Sequence, residues 1–340
     1  MSIFRSIYAF YEKYVDGFTL ALVLTVALAV ALPAHGQGYR IFSTLSNLVV
    51  ASLFFMHGLK LSPQNLWAGL TNWRLHLVVV TATFVLFPLL GLGLKPVLLW
   101  LSSPNLYLGL LFLCFLPSTV QSSIAFTSMA GGNVAAAVCS ASASSLLGVF
   151  ITPIWVWLAL GASSKGSFGQ AILDLSLQLV LPFALGQLAR LKLAQWVERR
   201  RKMIGFTDRL SVLFIVYVSF SRGTTTGLWG TLSVPMFLSL IVACALILAI
   251  ALITTAKAGK ALGFDQPDQI TILFCGSKKS LIAGVPMANI IFAPELASSI
   301  ILPLMIFHQA QLLTCAYLAR RIALKRQKAA PPPSPAESSS

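Results

Sequence analysis

The sequence predicts an all-α integral membrane protein with ten transmembrane helices arranged as two inverted five-helix repeats. Three observations carry that prediction. Of the 340 residues, 57% are hydrophobic and only 10% charged, whereas a soluble domain carries about 25% charged residues. Apolar runs of roughly 20 residues, the length of helix that crosses about 30 Å of hydrocarbon, follow one another almost without pause. The fourth and ninth runs share one unusual polar interior, which divides the chain into halves of similar length.

Turn residues and charges place the spans near 17–34, 43–60, 74–95, 106–131 and 134–161, then 170–190, 208–229, 231–257, 267–293 and 296–320. Residues 1–16 form an N-terminal segment with Arg5, Glu12, Lys13 and Asp16. No small-residue cleavage site follows the first run, so a retained helix is expected rather than a signal peptide. The units are then 1–16, a first repeat 17–161, a second repeat 162–321, and a tail 322–340. That tail ends PPPSPAESSS and is expected to be disordered and cytoplasmic. Because five helices per half is an odd number, the second half must insert upside down.

The net charge of +15 could suggest a nucleic-acid partner, but that needs basic residues on one solvated face, and here they fall in the predicted loops. Topology explains them. With both termini cytoplasmic, 18 of the 24 Lys and Arg residues lie on the cytoplasmic side. The outer side holds Arg40, Lys95, Lys165 and Arg222. Positive loops stay in the cytoplasm, so this is the expected orientation in the cytoplasmic (inner) membrane. The segment WVERRRKMIG (196–205) reads as a loop of topogenic charge with contacts to anionic membrane lipids. Cys114, Cys139, Cys244, Cys275 and Cys315 lack any paired spacing and read as small buried hydrophobes. No GxSxG, Walker or paired-histidine metal pattern suggests an enzyme.

The fourth span reads LFLCFLPSTVQSSIAFTSMAGGN, with Pro117 followed by Ser118, Thr119, Gln121, Ser122 and Ser123. The ninth reads ILFCGSKKSLIAGVPM, with Gly276, Ser277, Lys278, Lys279 and Ser280, then Gly284 and Pro286. Cys114 and Cys275 close the apolar stretch before each polar run. Helix breakers and polar side chains at mid-membrane, repeated in both halves, mark discontinuous helices that cross at a transport site. Such backbone is tolerated only where it lines protein or water.

Lys278 and Lys279 are the two cations that no loop can claim. A lysine at the bilayer centre costs about 2.5–3.5 kcal/mol. None of the nine Asp and Glu residues falls in the middle of a predicted helix. Hydroxyls, broken-helix carbonyls or a bound anion are therefore the available partners. The two lysines point about 100° apart on an ideal helix, so only one need face the crossover, and Lys278 is favoured. The other readings are snorkelling into a solvated vestibule and proton exchange. Gln121, Ser122, Ser123 and Asn133 join the candidate set, with Asn133 alternatively a cap for the fifth span. His308 and Gln309 in the tenth span complete it, His308 reading chiefly as a packing residue.

The segments SMAGGNVAAAVCSASASSLLGVFITP (128–153), FCGSKKSLIAGVPM (274–287) and LPLMIFHQAQL (302–312) resemble the bile acid:sodium symporter family, solute carrier family 10. The likeness is to its divergent branch, that of the seventh vertebrate member and bacterial homologues, and spans residues 15–320. It implies a panel domain (spans one, two, six and seven) and a core domain (three to five and eight to ten), with spans four and nine crossing in the core. In sodium-coupled relatives the ions are held by residues that fall here on Ser123, Ile124, Ala137, Ala141, Thr83, Phe274 or Cys275, and Lys278. Ser123 and Thr83 alone keep a side-chain oxygen, and a desolvated hard cation needs oxygen ligands and charge compensation. The resemblance thus implies a secondary transporter of a small organic anion working by alternating access, with no organic cofactor and with sodium coupling argued against. Ser277 and Ser280 flank the lysines in that site. The competing class is a membrane-embedded ligand sensor or regulator of the same fold.

Overall fold

The computed structural model describes residues 17–60, 72–160 and 176–329, and the regular elements among them are all helices. In chain order they are α1 (Gly17–Ala31), α2 (Gly36–Lys60), α3 (Trp73–Gly93), α4 (Lys95–Leu101), α5 (Pro104–Phe115), α6 (Gln121–Met129) and α7 (Val134–Leu160). After them come α8 (Leu181–Arg199), α9 (Arg201–Thr225), α10 (Leu228–Thr231), α11 (Val234–Ala261), α12 (Gln266–Gly276), α13 (Leu281–Ile291) and α14 (Pro294–Ala329). Counting α12 and α13 as one rod, eight helices among the described residues are long and apolar enough to cross a membrane. The shorter α1 and α5 are also apolar.

Local chemistry accounts for the helix starts. Ser103, Ser233, Asp265 and Ser280 each accept a bond from a backbone N–H in the first turn of α5, α11, α12 and α13, satisfying one otherwise orphaned donor. Proline occupies the first or second position of α5, α11 and α12, where its missing N–H does no harm. Val23, Leu24, Leu188, Leu191, Val242 and Ile253 lie exposed on α1, α8 and α11. Such outward apolar faces suit lipid rather than water.

The helices pack in two groups. In one, α8 lies along α2, and α9 packs on both α1 and α2. In the other, α14 packs on α5, α11 and α13, while α12 packs on α3, α6, α7 and α11. The groups meet through α9 against α13 and α14. Thr19 of α1 donates to Gln309 Oε1 at 2.9 Å, Ser219 of α9 to Asn289 Oδ1 at 2.9 Å, and Arg222 of α9 to Glu295 Oε1 at 2.6 Å.

Between α2 and α8 the backbones touch. A Cβ at Gly58 would come within 2.1 Å of the Phe183 carbonyl oxygen, and one at Gly186 within 2.1 Å of that of Phe55. Small residues allow this approach, which drives helix association in lipid, where apolar burial gives no preference. Gly186→Val is therefore expected to destabilise by about 1–3 kcal/mol or more, lowering the melting temperature in detergent. An unchanged melting temperature would show that the pair is loosely packed.

Several predicted boundaries move. The expected loop at 196–205 is instead the end of α8 and the start of α9, joined at Arg200. Its Arg, Lys and Glu residues are good helix formers whose charges reach water from a helical backbone. α14 runs to Ala329 rather than 320, so the first part of the predicted disordered tail is helical. Ile322 and Leu324 continue its pattern, and Arg326 bonds to the Gly131 carbonyl. α2 begins at Gly36, earlier than 43, and α4 and α10 are short helices that the sequence reading lacked. Residues 1–16 and 330–340 lie outside the described residues.

Candidate functional site

Two broken rods form the centre of the second group. Between α5 and α6 the chain leaves the helix through Leu116–Val120, and between α12 and α13 through 277–280. The breaks cross and bond directly. Ser280 N–H donates to the Pro117 carbonyl at 2.9 Å, and Ser118 Oγ to the Cys275 carbonyl at 2.6 Å. Ser123 Oγ donates to the Phe274 carbonyl at 3.1 Å, while the Ser118 N–H is taken up by Ser144 Oγ at 2.9 Å. Hydroxyls at this depth thus do what water would do elsewhere, satisfying backbone groups that the breaks release.

Lys278 and Lys279 lie side by side in the second break, and both are fully buried. Neither ammonium reaches solvent, so snorkelling does not describe them. Their surroundings differ completely. Lys279 Nζ donates to three carbonyls, Thr83 at 2.8 Å, Cys114 at 2.9 Å and Leu116 at 2.7 Å. Two of these end α5, where the helix dipole favours a cation. The third belongs to a π-helical turn in α3 (Ala82–Leu86), the kind of irregularity that loosens the regular hydrogen-bond ladder. The Phe87 ring centroid lies 4.2 Å away. Gln311 completes the arrangement, accepting from the Lys279 N–H at 2.9 Å and donating to its carbonyl at 2.8 Å. Lys279 is an intramolecular clip that ties α3, α5 and α14 to the break.

Lys278 Nζ has no hydrogen-bond partner among the described residues. It stands 4.2 Å from the ring centroid of Phe126 on α6 and 5.6 Å from that of Phe274 on α12. Cation–π attraction returns about 0.5–2 kcal/mol, well short of what an ammonium loses on leaving water. The site therefore presents a fixed amine without an acceptor between two aromatic walls.

The other candidates differ in what they bond to. Ser122 and Ser123 share a hydroxyl cluster with Thr119, at 2.7 and 3.0 Å. Ser277 bonds back to the Leu273 carbonyl at 2.5 Å, Ser280 caps α13, and Thr83 Oγ1 bonds back to the Val79 carbonyl at 2.8 Å. Gln121 opens α6 and is exposed. Asn133 caps α7 through a 3.0 Å bond from the Ala136 N–H, and its amide braces Asp268 at 2.9 Å. That carboxylate also takes Asn72 Nδ2 at 2.8 Å. His308 Nδ1 accepts from Gln311 Nε2 at 2.9 Å, and Gln309 faces Thr19 of the first group. Among the described residues no cluster of three His, Cys, Asp or Glu could hold a metal ion.

Phe126, Phe274 and Gln311 belong to the site and were not in the predicted set. Phe274 entered the sequence reading only as one of two positions that the family resemblance sets against an ion ligand. Gln311 stands beside the lower-ranked candidates His308 and Gln309 in the tenth span, whereas Phe126 carried no sequence signal that separates it from ordinary packing residues.

Residues 16–324 match the SBF-like CPA transporter family. A Pseudomonas aeruginosa protein named "Uncharacterized protein PA2026" is 54% identical over 93% of this chain and 95% of its own. The Escherichia coli "Putative symporter YfeH" is 49% identical over 93% and 94%, and the Xenopus tropicalis "Sodium/bile acid cotransporter 7" 32% identical over 92% and 94%. With a crossed pair of broken membrane helices and relatives named as symporters along nearly the whole chain, the protein belongs to the SBF-like branch of the bile acid:sodium symporter family and is a multi-pass membrane transporter, not an enzyme.

Proposed function

We propose that this protein moves a small organic anion across the cytoplasmic membrane by alternating access, with Lys278 supplying a tethered positive charge at the helix crossing. The observation that carries the reading is the buried Lys278 ammonium with aromatic walls and no acceptor. A carboxylate or sulfonate would give it the charge-assisted partner that the protein withholds. The N-terminal ends of α6 and α13, which begin beside the crossing, would add backbone donors and the positive ends of their dipoles.

In this reading α1, α2, α8 and α9 form the panel, and α3, α5–α7 and α11–α14 form the core, as two inverted five-helix repeats spanning 17–161 and 162–321. Rocking of one against the other exposes Lys278 to each side in turn. The Arg222–Glu295 ion pair and the Thr19–Gln309 bond, both between the groups, are contacts that such motion must exchange. Both termini are placed in the cytoplasm, because the cations of α8, of the start of α9 and of the end of α14 then lie inside.

Sodium is not needed at the crossing. Ser123 already donates to Phe274 and Thr83 to Val79, while Lys278 occupies the break with a charge of the same sign as the ion. The melting temperature of the purified protein, compared in NaCl, KCl and choline chloride at equal ionic strength, is expected to show no sodium-selective rise. A ligand bound only to the folded state adds about 2.7 kcal/mol at a hundred times its dissociation constant, so a rise specific to sodium would overturn the tethered-charge account.

The transport reading is tested in proteoliposomes with a series of labelled organic anions, from short carboxylates to bile acids. Saturable uptake of at least one member, absent from empty vesicles, is expected. Saturable binding without uptake across the series would favour the ligand-sensing alternative.

A further inference from the structure

A basic cleft lies at one end of the α11–α12–α14 cluster. There a cleft of about 660 Å³ is lined by Lys260, Lys325 and Arg326, by the amides of Gln266 and Gln269, and by an apolar wall that includes Ile270 and Ile322. No acidic residue lines it. The nearest carboxylates on α12 are engaged elsewhere, Asp265 in capping the helix and Asp268 with the amides of Asn72 and Asn133. The Arg326 guanidinium is held in place by the Gly131 carbonyl, and one engaged nitrogen does not exhaust its five donors. We propose that this cleft binds the phosphate headgroup of an anionic phospholipid, with the three cations around the phosphate and the acyl chains running out along α11.

Two features separate the cleft from the transport path. Every lining residue belongs to α11, α12 or α14, and none to α1, α2, α8 or α9, so it lies away from the seam between the two groups. On α14, Gln309 faces α1 through Thr19, and Lys325 lies about 160° round an ideal helix from it. The apolar side favours a lipid over a free anion. Ile253 is exposed on α11, three residues before the lining Ala256, and Leu262 is exposed just beyond the end of that helix, so an acyl chain leaving the headgroup along α11 meets apolar protein instead of water.

The test uses the full chain purified in an uncharged detergent, with its melting temperature followed against phosphatidylglycerol and against phosphatidylcholine of the same chains. Phosphatidylglycerol is expected to give the larger rise. The double variant Lys260→Gln/Lys325→Gln should need roughly thirtyfold more of it for the same shift, since each basic residue near a lipid surface contributes about a factor of five. A control pair on other elements, Arg40→Gln/Lys95→Gln, should respond as the parent does. Equal responses to the two lipids, an unaltered response in the cleft variant, or an equal loss in the control pair would each overturn the proposal. Inorganic phosphate is a separate arm, expected to be inert, and a matching rise with phosphate alone would reassign the cleft to a free anion.

Discussion

Lys279→Met is expected to leave little folded protein. Methionine matches the length and apolar bulk of the lysine stem but carries none of its three donors. The carbonyls of Thr83, Cys114 and Leu116 would then be buried without their partner. Each such orphan costs about 1–3 kcal/mol, so the sum rivals the roughly 5–15 kcal/mol that holds a whole domain together. The Gln311 amide cannot substitute, because it is already committed to the Lys279 backbone. The measurement is the yield of monodisperse protein in detergent and its melting temperature. A Lys279→Met variant as stable as the parent would mean that the three carbonyls find other donors and that the clip is dispensable.

The neighbouring substitution should do the reverse. Lys278→Met removes a buried amine that has no hydrogen-bond partner, and an apolar side chain of similar volume avoids the cost of burying an unpaired polar group. The melting temperature is expected to be unchanged or higher. Anion binding and flux are expected to fall by roughly a hundredfold, the equivalent of a charge-assisted contact of about 2–3 kcal/mol. Adjacent residues of one type thus give opposite phenotypes, one losing the fold and the other losing the function. Retained flux in a stable Lys278→Met protein would refute the tethered-charge role. A strongly destabilised variant would instead indicate that the aromatic box of Phe126 and Phe274 depends on the amine.

Much of this architecture was legible from composition and spacing. The apolar runs located the helices because crossing hydrocarbon demands continuous apolar length. Pro117 and the Gly276–Ser280 run located both breaks because proline and glycine interrupt helices for local steric reasons. The boundaries near charge were less legible. At Trp196–Gly205 and Arg320–Ala329, Lys and Arg served as loop markers, yet they are also strong helix formers, and the helices simply continue into the water. Asn133 shows a similar ambiguity. Its place after Gly131–Gly132 suited either a ligand or a cap, and its bonds to the Ala136 N–H and Asp268 are those of a cap and brace.

By itself, the sequence determined that the chain lies in a membrane, that two of its helices are interrupted at corresponding places, and that two lysines sit at one interruption with no carboxylate at their depth. Only the tertiary structure decided which lysine does what. Both have the same charge, the same neighbours in sequence and the same burial. The difference lies in the groups brought to them from distant parts of the chain, three carbonyls from α3 and the end of α5 for Lys279, and two phenylalanine rings for Lys278. Hydrogen-bond satisfaction of a buried charge depends on such long-range placement, which helical periodicity does not encode.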